Sequence, residues 1–454
     1  MKIDRSRVPL SKETLKFNPP EIEDFILSNG LKVLFTKKDF LPMIKMKMIS
    51  NCGSIYDPLE KKGLANLFSL SIDEGAGEYN ALELSEEFEI LGSSFSANCN
   101  HDSVTFNLSS LSEYFERSLD LFSKIVLSPH LNEKDFERER RKVAIRILQS
   151  KDNPEELADK AFDFLIYGEN NPYAFPTIGF EESNAKISVD DIRMFYKTYF
   201  SPAASTLIVV GNIDKEKLNT LLESYLNNWK TREAIEELSF KSDKKSKTVY
   251  ILNKEGAAQT EIRVGHVSSK RNTPDYFAKT VMNLILGGQF TSRLNLNLRE
   301  KKGFTYGVTS NFSYSKNVGE FCVATSVATE NTKHAVDEIL FEIENMKKGA
   351  TEDEINFAKS SLIKKFPLQF ESYGQLVSNL SLLAIHELPK DYFKNLLDNI
   401  SNVSLEDVNT AAVKNLKTDS LSILLVGNKT KLFEEFNSNG FNVKIINERG
   451  EIIS

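Results

Sequence analysis

Arg299 and Tyr306 stand seven positions apart, with Gly303 between them, in the stretch LGGQFTSRLNLNLREKKGFTYGV at residues 286–308. Both residue types can act on an acyl group. A guanidinium offers a rigid fork of cationic donors suited to a carbonyl oxygen. A tyrosine hydroxyl, still protonated at neutral pH, can donate to an oxyanion. The pattern predicts a helix ending in Leu298-Arg299-Glu300-Lys301-Lys302, a turn at Gly303 and a strand opening with Tyr306, so that both side chains can face one side of a sheet edge. The same residues also read as a surface cation favoured at a helix C-terminus and a half-buried strand tyrosine. Gly287 and Gly288 carry two readings as well. They are a stretch of bare backbone along which a peptide can pass closely, or the C-cap of a helix through residues 281–286.

The elements that must position these groups belong to a long chain. At 454 residues it exceeds one ordinary core, and length predicts roughly two to four domains. Hydrophobic residues at 41% and charged residues at 27% are globular values. A net charge of −7 argues against nucleic acid as a partner, because phosphate contacts need a basic face. The amino-terminal residues lack the apolar core of a signal peptide, and the greasiest segments are only strand-length. A soluble, cytoplasmic protein with no membrane partner is expected. Cys52, Cys99 and Cys322 are odd in number and show no CxxC spacing, so they are expected as buried small hydrophobes.

Along the chain, Asn29-Gly30 between apolar runs predicts a hairpin over residues 25–35, followed by an alternating strand at 44–49. Helices are predicted at 63–70, 81–91, 112–126 and 133–148, the last capped by Asn132, with strands at 93–98 and 103–108. A helix opened by Ser188 and a buried strand at 206–212 close the first half. That ending recurs: Ser188 and Ser404, Asp191 and Asp407, and Gly211 and Gly427 are each 216 positions apart. Asn132 and Thr351 are 219 apart and Gly92 and Gly303 are 211 apart, so the register drifts only by small insertions. The repeat predicts an α+β protein of two homologous halves, each a mostly antiparallel sheet with a helical layer. The halves are expected at residues 1–230 and 248–454, joined by a charged linker at 231–247 that includes the lysine-rich run 241–247.

With these halves on the page, the chain resembles the M16 family of pitrilysin, insulinase and the mitochondrial processing peptidase over nearly its whole length. The first half carries Gly63-Leu64-Ala65 and Asp152-Asn153-Pro154, and ends in Pro202 and a Val-Val-Gly-Asn strand. The second half carries Leu286-Gly287-Gly288, Leu298-Arg299-Glu300 and Gly303-Phe304-Thr305-Tyr306. In peptidase members the helix after Gly-Leu-Ala holds HxxEH, two zinc-binding histidines and a glutamate that handles the water proton. Here the five positions are Asn66-Leu67-Phe68-Ser69-Leu70, and the family's third ligand, a glutamate, falls on Arg146. The degenerate positions are therefore Asn66, Ser69, Leu70 and Arg146. His101, His130, His266, His334 and His386 form no pair at helical ligand spacing, and each reads as a loop or surface histidine. No zinc or other cofactor is expected in this chain.

The resemblance implies a division of labour. Some family members work as two chains, one with HxxEH and one without it that keeps the arginine and tyrosine. By that resemblance Arg299 binds a substrate carbonyl, Tyr306 donates to the developing oxyanion, and Gly287-Gly288 lie along the substrate path. Zinc resides in the partner, and the substrate is an extended or unfolded peptide, held partly by strand addition at a sheet edge. The alternative is a non-catalytic scaffold or recognition subunit with the same fold and no role in chemistry.

Overall fold

The computed structural model describes residues 17–231, 238 and 246–454. Most of the expected linker, its lysine run and the polar leader through residue 16 lie outside the described residues. The first sheet is built from β1 (Glu23–Ile26), β2 (Lys32–Lys37), β3 (Met43–Ser50), β4 (Ser94–Cys99), β5 (Val104–Leu111) and β6 (Ser205–Gly211), in the order β1-β2-β6-β3-β5-β4. The second uses β7 (Thr248–Asn253), β8 (Gln259–Ser268), β9 (Val308–Tyr314), β10 (Gly319–Ala328), β11 (Ser422–Gly427) and β12 (Val443–Ile446), in the order β12-β7-β11-β8-β10-β9.

The two orders superimpose strand for strand from β2-β6-β3-β5-β4 onto β7-β11-β8-β10-β9. In both, the strand with the Val-Gly-Asn ending runs parallel to its neighbour, β6 to β2 and β11 to β7, and antiparallel to the next, β3 or β8. The outer edges differ. β1 precedes β2 and pairs with it antiparallel, whereas β12 comes from the end of the chain and pairs parallel with β7. On the opposite edges lie β4 and β9.

The hairpin at Asn29-Gly30 forms as predicted, with Phe25 opposite Val33. Gly30 takes φ of +87°, a left-handed conformation that glycine enters without a Cβ penalty. β10 alternates strictly between buried and half-buried residues along its whole length, while every residue of β11 is buried. A strand buried on both faces needs cover on both, and the second cover comes from the opposite half.

The helices Pro154–Tyr167 and Tyr373–Ile385 begin 219 positions apart and are equivalent in the repeat. Each crosses to the other half's sheet. Leu157, Ala161 and Leu165 of the first helix pack on Tyr250, Leu252, Leu424 and Val426 of the second sheet. Leu376 and Leu380 of the second helix, with Phe366 and Phe370 ahead of it, pack on Leu34, Ile49, Ile208 and Val210 of the first. Each buried aliphatic or aromatic side chain stabilises by roughly 1.5–3 kcal/mol, so the exchange ties the halves together by packing. Polar contacts fix its register. The Tyr373 hydroxyl donates to the carbonyls of Lys38 and Leu41 and accepts from Leu41 N–H at 2.9 Å. Arg263 of β8 donates to Asp159 at 2.8 Å.

Candidate functional site

The degenerate zinc positions sit on a short helix, Leu64–Ser71, that packs against the helix Glu133–Ser150. Its start is fixed by Asp57, whose carboxylate accepts the Gly63 and Ala65 N–H groups at 2.8 and 2.9 Å. Gly63 itself has φ of +104°, and a Cβ there would lie 2.7 Å from the Ile178 carbonyl oxygen. The fold thus presents this helix as the family does, but its side chains differ. Ser69 is buried and returns its hydroxyl to the Asn66 carbonyl at 2.8 Å. Leu70 packs on the first-half core. Arg146 lies exposed on the longer helix and pairs with Glu156 at 3.0 Å.

An amide, a hydroxyl turned into its own helix, an aliphatic chain and a guanidinium are not a zinc ligand set. A cation in the place of a ligand carboxylate would also repel the ion. Among the described residues no group of three or more His, Cys, Asp or Glu side chains is arranged to hold a metal. Zinc does not fit these residues. Two histidines depart from the loop or surface placement expected of them. His266 is in β8 and only 4% exposed, and it accepts the Lys417 N–H at 3.1 Å. Its burial pushes its pKa down to about 4. His101 does occupy the β4–β5 turn, but its ring turns inward to the Phe175 carbonyl at 2.9 Å, and burial lowers its pKa.

The second-half stretch is built from its helices outward. The helix Tyr276–Leu286 ends at Gly287, and the N–H groups of Gly287 and Gly288 both donate to Asn283 O, at 2.9 and 2.8 Å. These glycines are therefore a helix cap in the folded chain. Gly287 is also a packing position, because its Cβ would meet Ser310 of β9 at 2.5 Å. The Asn283 amide holds the same Ser310, donating to its carbonyl at 3.0 Å and accepting its hydroxyl at 2.8 Å.

Beyond the cap, residues Asn295–Lys301 form a π-helical segment, in which Lys302 N–H reaches back five residues to Asn297 O at 3.0 Å. Such wide turns occur often at functional sites. Three side chains fasten it. Arg293 forks onto both oxygens of Glu354 at 2.6 and 2.7 Å. Asn297 donates to Glu338 and Glu342 at 2.8 and 2.7 Å. Asn295 is bonded twice to the backbone of Val308, donating to its carbonyl at 2.7 Å and accepting its N–H at 3.2 Å.

Gly303, at φ of +66°, then reverses the chain. The expected strand does not open with Tyr306. β9 begins at Val308, and residues 304–307 form a loop closed by the Thr305 hydroxyl, which accepts the Gly307 N–H at 3.1 Å and is bonded to Thr325 of β10 at 3.0 Å. This side-chain closure competes with strand pairing over those residues. Tyr306 is consequently 94% exposed and makes no hydrogen bond with the described residues. Arg299 lies with its guanidinium 4.1 Å from the centre of the exposed Phe290 ring, a cation–π stack. Its Nη1 is shielded from solvent and lies in an ion pair 3.4 Å from Glu300 Oε1, without a hydrogen bond among the described residues. The stretch thus carries a cation held between Phe290 and Glu300 and an exposed phenol with no hydrogen bond among the described residues, beside an edge strand.

A second polar site lies on the seam between the halves and was not foreseen. His101, Asp163 and Tyr173 of the first half and Ser313 and Glu320 of the second line a cavity of about 170 Å³. Glu320 accepts from Ser313, Tyr167 and Asp163. Removal from water, with Asp159 nearby, raises the Glu320 pKa, and removal from water together with Glu320 raises that of Asp163. Burial and the nearness of the two carboxyls thus both favour the protonated form of this pair. A lone acid in the apolar run Ala161-Phe162-Asp163-Phe164-Leu165 was the available signal.

Comparison with known proteins agrees with this geometry. The model of the insulinase family, peptidase M16, matches residues 32–170, which include the degenerate helix and Arg146. The model of the peptidase M16 inactive domain matches residues 186–362, which include Arg299 and Tyr306. The chain is 25% identical over 403 residues to the non-peptidase homolog YmxG of Helicobacter pylori, covering 88% of this chain and 92% of that protein. It is also similar to a crystal structure of a peptidase M16 inactive domain from Pseudomonas fluorescens, with a TM-score of 0.85, 25% identity and coverage of 90% and 98%. The periplasmic protease PqqL of Escherichia coli shares the fold at a TM-score of 0.77 and 19% identity, over 94% of this chain but 47% of PqqL. Two M16 family models on one chain, a matching duplicated fold and a first half without zinc ligands place this protein in the M16 peptidase family, among its members that lack the zinc site.

Proposed function

We propose that this chain is the non-zinc subunit of a two-chain M16 metalloendopeptidase. Alone it does not hydrolyse peptides. Its partner is a second M16 chain that carries HxxEH, binds zinc and activates the water. This chain contributes Arg299, which donates to a carbonyl of an extended peptide, and Tyr306, which donates to the oxyanion that develops on the scissile carbonyl. Groups from two chains can serve one carbonyl provided each is held within about 3 Å of it.

The observation that carries this reading is the state of the pair. In a chain whose zinc positions are Asn66, Ser69, Leu70 and Arg146, Tyr306 is 94% exposed with no hydrogen bond among the described residues, and Arg299, held by Phe290 and Glu300, has an Nη1 without a hydrogen bond among them. A phenol so exposed is available to a ligand. The edge strand β9, directly after Tyr306, offers backbone groups to which an extended peptide can add. The test is co-expression with an HxxEH-bearing M16 chain of the same genome. A stable complex that cleaves an unstructured peptide neither chain cleaves alone is expected. A zinc-bearing chain whose activity is indifferent to this one would overturn the proposal.

A further inference from the structure

The π-helical segment and the Tyr306 loop follow one another across the turn at Gly303, and the proposed chemistry needs their two side chains in fixed relation. We infer that Asn295 is the positioning residue that holds the Tyr306 loop in register with the Arg299 helix, an inference that rests on the function proposed above.

Asn295 lies four residues before Arg299 in the same segment, so the two share one rigid backbone. Its buried side chain reaches the opposite strand and pairs with Val308 as a neighbouring strand would, with Nδ2 donating to the carbonyl and Oδ1 accepting the N–H. Val308 is two residues beyond Tyr306. The same Nδ2 also approaches Ser292 Oγ and the Gln289 carbonyl, both at 3.3 Å, so the amide is fixed on the helix side as well. The loop's entry is held by backbone bonds to the same segment, Gly303 N–H to Arg299 O at 3.2 Å and Phe304 N–H to Leu298 O at 2.9 Å, whereas its exit, apart from Asn295, is tied to β10 by hydroxyls. Thr325 Oγ1 donates to the Gly307 carbonyl at 2.9 Å and is bonded to Thr305 Oγ1. Added atoms at Gly303 and Gly307 would meet nothing within 4 Å, so packing does not restrain the loop there. At the exit of the loop two polar side chains therefore carry the placement of Tyr306, and of these two Asn295 is the one that belongs to the Arg299 segment. The side-chain amide presents a donor and an acceptor side by side to the C=O and N–H of this one residue, which an alanine there cannot do.

The experiment is a double-mutant cycle in the reconstituted complex, with Asn295→Ala, Tyr306→Phe and the pair, measuring kcat and KM on an unstructured peptide. Misplacing a reacting group by a fraction of an ångström to 1 Å lowers turnover by up to about 100-fold. Asn295→Ala is therefore expected to lower kcat by about 10- to 100-fold with KM changed less than about twofold. In the Tyr306→Phe background the same substitution should cost less than about twofold, because the group it positions has gone. A merely structural asparagine would lower both backgrounds by the same factor, and that result overturns the inference while leaving the proposed function intact. A silent Tyr306→Phe overturns both, by a different pattern. Should Asn295→Ala not fold, Thr325→Val removes the other tether with little change of shape. It must show the same dependence on Tyr306, or the inference fails.

Discussion

Gly287 distinguishes a packed helix cap from a path for substrate, and the structure gives the size of the effect. In Gly287→Ala the new methyl would lie 2.5 Å from Ser310 Oγ, 2.6 Å from Ser310 N and 2.8 Å from Leu294 Cδ1. Ordinary contact begins near 3.4 Å, and the backbone nitrogen cannot rotate away, so β9 must retreat by about 0.8 Å. That movement stretches Ser310 N–H to Gly287 O, already 3.2 Å, and loosens the two Asn283–Ser310 bonds. Overpacking of this kind costs about 1–3 kcal/mol, and a weakened hydrogen bond adds about 0.5–1.5 kcal/mol. A loss of about 2–4 kcal/mol is expected in urea unfolding followed by circular dichroism. Gly288→Ala is the control. Its nearest neighbours stand at 3.1 Å, led by the Asn283 side chain and carbonyl, and a shift of a few tenths of an ångström relieves the contact at about 1 kcal/mol or less. Stability unchanged in Gly287→Ala, with peptide affinity reduced in the complex, would refute the packing argument and make the glycine a substrate contact.

The seam carboxyls give a pH prediction. Glu320 and Asp163 have pKa values raised above those of the unfolded chain, where carboxyls titrate near 4. Above that pH the folded chain retains a proton that the unfolded chain has released, so their contribution is complete in acid and is lost as pH rises through the folded values. The melting temperature should therefore fall from pH 5 to pH 8 more steeply in the native chain than in Glu320→Gln; parallel curves would count against raised carboxyl pKa values at the seam. The isolated chain, incubated with excess zinc and desalted, should retain far less than one ion per chain and cleave no unstructured peptide. Stoichiometric zinc with hydrolysis would contradict the reading of Asn66, Ser69, Leu70 and Arg146. Arg299→Lys keeps the charge but loses the planar stack on Phe290 and the fork, so kcat/KM of the complex should drop by about tenfold or more. Unchanged constants would remove Arg299 from the substrate.

The 216-residue offset was enough to pair the strands now seen as β6 and β11 and the helices opened by Ser188 and Ser404. A repeat of residue types reports local structure, and both copies did fold alike. The exchange of the helices Pro154–Tyr167 and Tyr373–Ile385 was not legible, because helical periodicity shows that a face is apolar and not which sheet it covers. Arg299 and Tyr306 were singled out as candidates by residue type and by the M16 resemblance, while spacing alone favoured an ordinary helix end and strand. The strand expected at Tyr306 did not form, since Thr305 and Thr325 close a loop through side-chain bonds that pattern does not encode. Asn295 escaped for a related reason: an asparagine in a helix reads as a poor helix former until the strand it serves is in view. His266 was misplaced because single histidines are assigned by base rate, whereas this one is enclosed in β8 and held by Lys417 N–H.

The central claim, that this chain lends chemistry to another chain's active site, is tested most directly by the turnover of the reconstituted complex with Tyr306→Phe. The substitution removes one oxygen from a side chain that is 94% exposed, so folding and assembly should be untouched. With the complex forming at native affinity, kcat should fall by about 10²–10³, the usual consequence of losing one oxyanion donor. Native turnover in the assembled variant would contradict the account and leave this chain a scaffold.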